Sequence, residues 1–370
     1  MRNGRPSASH FGIVMLLFLA IGPRLSAMQS NVSVRLLFQI AESDVQQLGI
    51  IPDLASFVAS SDRGIAIYEL GGGDQAGFIP NMPDRPALQF AIDRLNSDII
   101  VYDGEQSSID IINAEDLRLI ANATLDVLKP GSVSALAYDG HDAVALAVTD
   151  ELIFPDNAVY ENTGLVFYSL SNRQTSRLVL DDLIGFPAIA TFVTFAMNAE
   201  SAFILVNYPG YDWYEMWELD RTTGHLKQTV EAAYIVPAFA AHADVTALGL
   251  AFTLGITDDW EYRVEVSDLM SERVICSVPV EPNPYRPRFG RLDRISAVAL
   301  TDDGTLLAIG DDEGKIKLWI TDTCTHLTDF VAHQDKIAGL VFPENGKILL
   351  SVNAVTASQH IRAWTIEIDS

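Results

Sequence analysis

Three acidic pairs, Asp181-Asp182, Asp258-Asp259 and Asp311-Asp312, are the groupings in this chain best suited to a hard cation such as calcium. None lies in the loop that calcium asks for, with Asp or Asn at alternate positions and a closing Glu. Acids of this kind also close turns by accepting hydrogen bonds from their own backbone. Six histidines follow residue 27, His141, His225, His242, His326, His333 and His360, and none has a second His at ligand spacing. Gly-x-Ser-x-Gly, His-Glu-x-x-His and paired Cys-x-x-Cys are all missing. The glycine-rich "ELGGGDQAG" (69–77) follows what reads as a blade-closing strand and opens no helix, so it reads as an inter-strand turn and not a phosphate cradle. No catalytic residue, cofactor or metal is therefore expected.

Cys276 and Cys324 are the two cysteines, each near the start of a predicted strand. An oxidising compartment permits a bridge between them. Each equally suits a small buried apolar position, and they fall at non-equivalent places in adjacent repeats. Both readings stand at this point.

The N-terminus speaks to compartment. Arg2, Arg5 and His10 precede the apolar run "FGIVMLLFLAI" (11–21), and "GPRLSA" brings small residues up to Met28. That order is the one a secretory signal peptide follows, with cleavage expected after Ala27. A retained signal anchor is the competing reading, but the run is short for a membrane span. The expectation is an exported protein, secreted or periplasmic, with no stable membrane insertion after cleavage. Asn31 ("NVS") and Asn122 ("NAT") fit the glycosylation acceptor pattern.

Removing residues 1–27 leaves 21 Lys and Arg against 49 Asp and Glu, a net charge of −28. Such a surface repels nucleic-acid phosphates and anionic lipids, so neither is an expected partner. Hydrophobic residues make up 49% of the chain and charged ones 20%, the composition of a globular core and not of a disordered segment.

The elements behind these residues repeat. "DDGTLLAIGDDEGKIKLWITD" (302–322) runs turn, apolar strand, acidic turn, alternating strand, Trp, and "AHQDKIAGLVFPENGKILLSVNAVTASQHIRAWTIE" (332–367) does so again. Trp319 and Trp364 are 45 residues apart, within the period of four-stranded propeller blades. Closing strands of earlier copies read "IAIYEL", "SIDIINAED", "LVFYSL", "EMWELD" and "YRVEVSDL", for seven in all. Period-2 alternation without a long 3.6-period segment makes the chain all-β.

The last two units resemble WD repeats. "AHQDKI" stands where that family has Gly-His-x-Asp-x-Val, and "GRLDRI" (290–295) stands there with Arg291 in place of His. The resemblance implies a structural hydrogen-bonded set in the last blade, with His333 and Trp364 as two members and Ser351 as the hydroxyl. The family's turn Asp has no counterpart in "NAVTASQ". The resemblance covers residues 290–367 and implies architecture without chemistry. It also implies that the strand at about 32–39 completes the last blade, closing a seven-bladed ring and removing an unpaired edge.

Connections between first and second strands, and between third and fourth, read as minimal on one face. On the opposite face they lengthen: 150–163, 208–215 and 255–262 between second and third strands, and 181–187, 231–237 and 278–293 between blades. These stretches carry Tyr208, Tyr211, Trp213, Tyr234, Trp260 and Tyr285, with the basic pair Arg286 and Arg288. Tyr, Trp and Arg are the residues enriched at interface anchors. Loop aromatics also fold back to plug gaps between blades, which is the competing role. The sequence thus points to a non-catalytic scaffold binding a protein or peptide on the loop-rich face of blades three to six. The alternative is a propeller enzyme, lactonase-like or quinoprotein-like, with a loop-built site at the central channel; the apolar inner strands "VSALAY", "ATFVTF", "ISAVAL" and "IAGLVF" argue against a channel site built from strand residues but leave one built from loops open.

Overall fold

A computed structural model of the chain describes residues 32–42, 44–81, 88–93, 96–125, 133–154, 157–180, 184, 189–195, 200–208, 213–233, 239–244, 247–255, 262–268, 273–280, 295–301, 303–344, 346–354 and 359–368. The leader read at 1–27, and Asn31, lie outside these residues.

The described strands form seven four-stranded antiparallel sheets. Blade one is β2 (Gln47–Ile51), β3 (Ser56–Ser61), β4 (Gly64–Glu69) and β5 (Gln75–Pro80). Blade two is β6 (Gln89–Asp93), β7 (Asp98–Asp103), β8 (Ser108–Asn113) and β9 (Leu119–Thr124). Blade three is β10 (Val133–Tyr138), β11 (Ala143–Phe154), β12 (Asn157–Ser169) and β13 (Thr175–Val179). Blade four is β14 (Ile189–Phe195), β15 (Ser201–Tyr208), β16 (Trp213–Asp220) and β17 (Leu226–Ala233). Blade five is β18 (Phe239–Asp244), β19 (Ala247–Gly255), β20 (Tyr262–Asp268) and β21 (Arg273–Val280). Blade six is β22 (Ala297–Leu300), β23 (Leu306–Gly310), β24 (Lys315–Ile320) and β25 (Thr325–Val331). Blade seven is β26 (Ile337–Glu344), β27 (Ile348–Asn353), β28 (His360–Ile368) and, as its outer strand, β1 (Val32–Ala41).

The seven alternating strands read from the sequence are each the third strand of a sheet, with one more strand outside them. "ELGGGDQAG" accordingly spans the β4–β5 turn and the first residues of β5, so it does not follow a last strand. β1 pairs with β28 from Val32↔Ile368 to Ala41↔His360, joining the chain's first strand to its last blade. β2 contacts both β6 and β26, so blade one has blade two on one side and blade seven on the other.

Burial explains the pattern within each blade. Along β4, Ile65 and Ile67 pack toward blade two with Phe90 and Ile99, while Ala66 and Tyr68 pack toward blade seven with Leu350 and Ile361. A sheet covered on both faces has apolar residues at successive positions, as in β3 and β23, which are buried throughout. Outer strands have one wet side and alternate, as in β5 and β9. Each fully buried Ile or Phe contributes about 1.5–3 kcal/mol from removal of apolar surface.

The acidic turn of blade six shows how local chemistry fixes the frame. Asp311 accepts hydrogen bonds from the backbone N–H groups of Glu313 (3.0 Å) and Lys315 (2.8 Å). Burial pushes its carboxyl above the ordinary range. This acid therefore serves the turn. Gly314 follows at φ +80°, and a Cβ there would lie 2.3 Å from the carbonyl of His333. That carbonyl belongs to the connection leading into blade seven, whose Ala332 and His333 N–H groups both donate to the Gly314 carbonyl.

Candidate functional site

Blade seven carries a buried polar set. Pairing places Leu349 opposite Trp364 and Ser351 opposite Arg362. The Trp364 indole N–H donates to Ser351 Oγ at 2.9 Å, and Ser351 Oγ lies 2.8 Å from His333 Nε2. His333 is 3% exposed and Ser351 0%. Burial first, then the nearby charges of Arg362 and His360, push the His333 pKa down to about 4, so the ring is neutral at pH 7. A Ser beside a neutral His resembles a nucleophile and its base. Here the hydroxyl already accepts from an indole and has no exposed surface, so it holds the blade together and attacks nothing.

The neighbouring blade has the same frame without the network. Leu307 pairs with Trp319 as Leu349 does with Trp364, which puts Ile309 where Ser351 stands. The Trp319 indole nitrogen is buried and has no hydrogen-bond partner, while its ring meets His326 edge-on at 5.1 Å. Beside it lies the Cys276–Cys324 disulfide, with Cα atoms 5.1 Å apart. The two cysteines, left open between bridge and buried apolar residue, are bonded. Their non-equivalence is what brings them together: the outer strand β21 of blade five runs beside the β24–β25 turn of blade six.

On the opposite face, the stretch read as a loop at 150–163 is largely strand. β11 and β12 stay paired from Asp150↔Glu161 to Phe154↔Asn157, beyond the reach of β10 and β13, as a projecting two-stranded ribbon. Blade four's β15 and β16 pair out to Tyr208↔Trp213, and blade five's β19 and β20 to Gly255↔Tyr262. Blade one's corresponding pair ends at Ser61↔Gly64 after a two-residue turn. Tyr208 and Trp213 thus end paired strands, and their side chains lie outside the described residues. Tyr211, Tyr234, Trp260, Tyr285, Arg286 and Arg288 lie outside them altogether.

Two polar clusters had no marker in the sequence. Glu42, just after β1, is buried and accepts from the Arg63 guanidinium and from Tyr68 Oη (2.7 Å). Burial and this bond raise the Tyr68 pKa. At the seam of blades three and four, Arg221 pairs with Asp139 at 2.9 Å and lies over the rings of Phe195 (4.8 Å) and Phe167 (5.7 Å). Each joins residues of neighbouring blades, and the packing of one blade on the next brings them together. Among the described residues no group of three or more His, Cys, Asp or Glu is placed to hold a metal ion.

Seven four-stranded antiparallel sheets make the fold a β-propeller, and the His–Ser–Trp set of its last blade is similar to the structural set of WD repeats. Residues 288–319 match the family described as "WD domain, G-beta repeat". A stretch of 53 residues is 36% identical to the U3 small nucleolar RNA-interacting protein 2 of Homo sapiens and of Mus musculus, covering 14% of this chain and 11% of those proteins. The crystal structure of the Cps50 (Swd1) β-propeller domain from Myceliophteria thermophila superposes with a TM-score of 0.64 at 10% identity, over 90% of this chain and 99% of that one. WD-repeat propellers are typically protein-interaction scaffolds.

Proposed function

We propose that this chain is an exported, non-catalytic scaffold that binds a protein or peptide partner on the hairpin-bearing face of blades three to five and the connections out to blade six. The observation that carries the reading is the projecting β11–β12 ribbon, with the paired ends of β15–β16 and β19–β20 beside it. Connections that run past the body of a scaffold are where binding residues concentrate. The disulfide favours an oxidising compartment, as does the leader at 1–27. A net charge of −28 on the mature chain turns away nucleic acid.

The test is affinity capture from the source organism's exported fraction, comparing residues 28–370 with the Tyr211→Ala/Trp213→Ala/Trp260→Ala variant at matched unfolding curves. A protein held by the parent and lost by the variant is the expected result. Equal capture by both would overturn the assignment to this face.

A further inference from the structure

From Asp150↔Glu161 to Phe154↔Asn157 the strands of the β11–β12 ribbon pair with one another without a shift. No third strand of the sheet accompanies them: β10 pairs with β11 only as far as Val148, and β13 with β12 only as far as Gly164. In such a ribbon half of the main-chain N–H and C=O groups of each strand point away from the partner strand. Elsewhere the molecule blunts its edges. In six blades the outer strand has a β-bulge, with Leu37, Ala76, Ile120, Thr229, Ile275 and Leu327 skipped by the pairing register. Such bulges twist an outer strand and spoil its open edge as a template for another strand. Residues 157–161 of β12 have neither a bulge nor a Lys nor a Pro.

The ribbon is also uniformly acidic. Asp150, Glu151, Asp156 and Glu161 fall within it, and no Lys or Arg occurs between Lys129 and Arg173. The register sets Asp150 directly opposite Glu161. Like charges so placed disfavour an isolated ribbon, and a two-stranded hairpin is marginal in water to begin with. A cationic third strand answers both costs, since it adds a ladder of main-chain hydrogen bonds and offsets the paired acids. The β12 edge is the one turned to the perimeter. The order β10-β11-β12-β13 runs outward from the inner strand, so a strand added to β12 lies beyond the end of β13 on the outside of the ring.

We propose that residues 157–161 of β12 receive an extended, basic segment of a partner protein as a third strand of the ribbon, with Lys or Arg on the face that holds Asp150 and Glu161. Main-chain pairing would supply affinity and the alternate side chains would supply selectivity. A second copy of this chain is the poorer occupant. It would bring four more acids to the ribbon, on a mature chain that itself carries −28. The proposal rests on the ribbon being the recognition element, as read above, and adds how it binds and the chemistry of what it binds.

The probe is a fluorescent decapeptide of alternating Val and Lys, titrated at about 150 mM salt, where fields from distant charges are screened beyond about 8 Å. Its control has the same side chains with every main-chain nitrogen methylated, which keeps the charge and removes the ladder donors. The expected result is binding of the Val-Lys peptide to the mature chain, weakened about tenfold by the methylation, with hydrogen exchange slowed at 157–161. Replacing residues 150–162 by Asn-Gly shortens the ribbon to a turn like that of blade one and should abolish binding at a matched unfolding curve. Asp150→Asn/Glu161→Gln should weaken it about threefold. Glu69→Gln/Glu115→Gln makes the same charge change at exposed sites on blades one and two and should leave binding nearly unchanged. No binding, equal binding of the methylated peptide, full binding by the shortened chain, or equal losses in the two charge variants would overturn the proposal. Capture of a partner by the parent without Val-Lys binding would reject strand addition and leave the scaffold reading standing.

Discussion

In blade seven, Leu349 pairs with Trp364 and the indole donates to Ser351, which meets His333. In blade six, Leu307 pairs with Trp319 in the same register, but the indole finds Ile309 where the hydroxyl would be. The outer strand even bulges opposite the Trp in both blades, at Leu37 and at Leu327. The backbone frame therefore does not need the polar set to form. What the set adds is a bond between the connection entering the blade and its second and third strands. Blade six lacks that tie and has the disulfide instead, running from blade five's outer strand to its own β24–β25 turn. One junction is held by hydrogen bonds that depend on a neutral His, the other by a covalent bond that depends on oxidation.

The covalent junction gives the largest expected effect. The bond closes a loop with a sequence separation of 48, for which chain entropy gives about 4 kcal/mol of stabilisation. Reducing it, or replacing both residues in Cys276→Ala/Cys324→Ala, should lower the denaturant midpoint accordingly. Hydrogen exchange should quicken first in β21 and β25, with β27 and β28 little changed. Equal quickening in blades six and seven would mean that the junctions are not independent.

How much of this could be read beforehand follows from range in the chain. Trp319, Trp364, His333 and Ser351 lie within one repeat or its neighbour, so a 45-residue period is enough to place them. β1 was recognisable because it is a strand without a local partner in a chain whose last unit is one strand short. The disulfide was not, because nothing in the sequence fixes which turn of one blade lies beside which strand of the next. The Glu42–Arg63–Tyr68 cluster is hidden for the same reason. The β11–β12 ribbon reads as a loop in the sequence because "DELIF" and "NAVYE" flank Pro155 and Asp156 and lack clean alternation. Pairing with one another, and not burial in a sheet, is what makes them strands. The aromatic and basic residues proposed for recognition lie mostly outside the described residues, so their grouping still rests on the sequence.

Acid should separate the two junctions next. His333 is neutral when folded, with its pKa pushed down to about 4 from an unfolded value of about 6.5. The unfolded chain then binds the proton more readily, so stability is fully present above pH 6.5 and falls as pH drops toward 4. The loss at pH 5 comes to about 2 kcal/mol. Asp139, Asp142, Asp303 and Asp329, whose carboxyls are held below the ordinary range, lose stability only in more acid solution. Denaturant curves at pH 7 and pH 5 should show this drop in the parent and little of it in His333→Gln. Blade six, with Arg291 at the corresponding place in the sequence, has no titrating group there. A drop that survives unchanged in His333→Gln would mean that another group carries the dependence.

The smallest effect concerns the orphaned indole and asks whether blade six can be given blade seven's bond. In an apolar core, Ser is ordinarily worse than Ala by about 1–2 kcal/mol, because its hydroxyl loses water and gains nothing. Ile309 is 4% exposed, so either substitution costs apolar burial and opens space. At this position, however, the register puts a Ser hydroxyl where Ser351 stands relative to Trp364, within reach of the unpaired Trp319 nitrogen. A hydrogen bond there returns about 1 kcal/mol and removes the penalty for the buried donor. Ile309→Ser should therefore match or exceed Ile309→Ala in stability, reversing the usual order. At Val298, on the same core but without an orphaned donor, Val298→Ser should remain the less stable of its pair. The usual order at both sites would mean that Trp319 and Trp364, though alike in register, do not present their nitrogens to the same point.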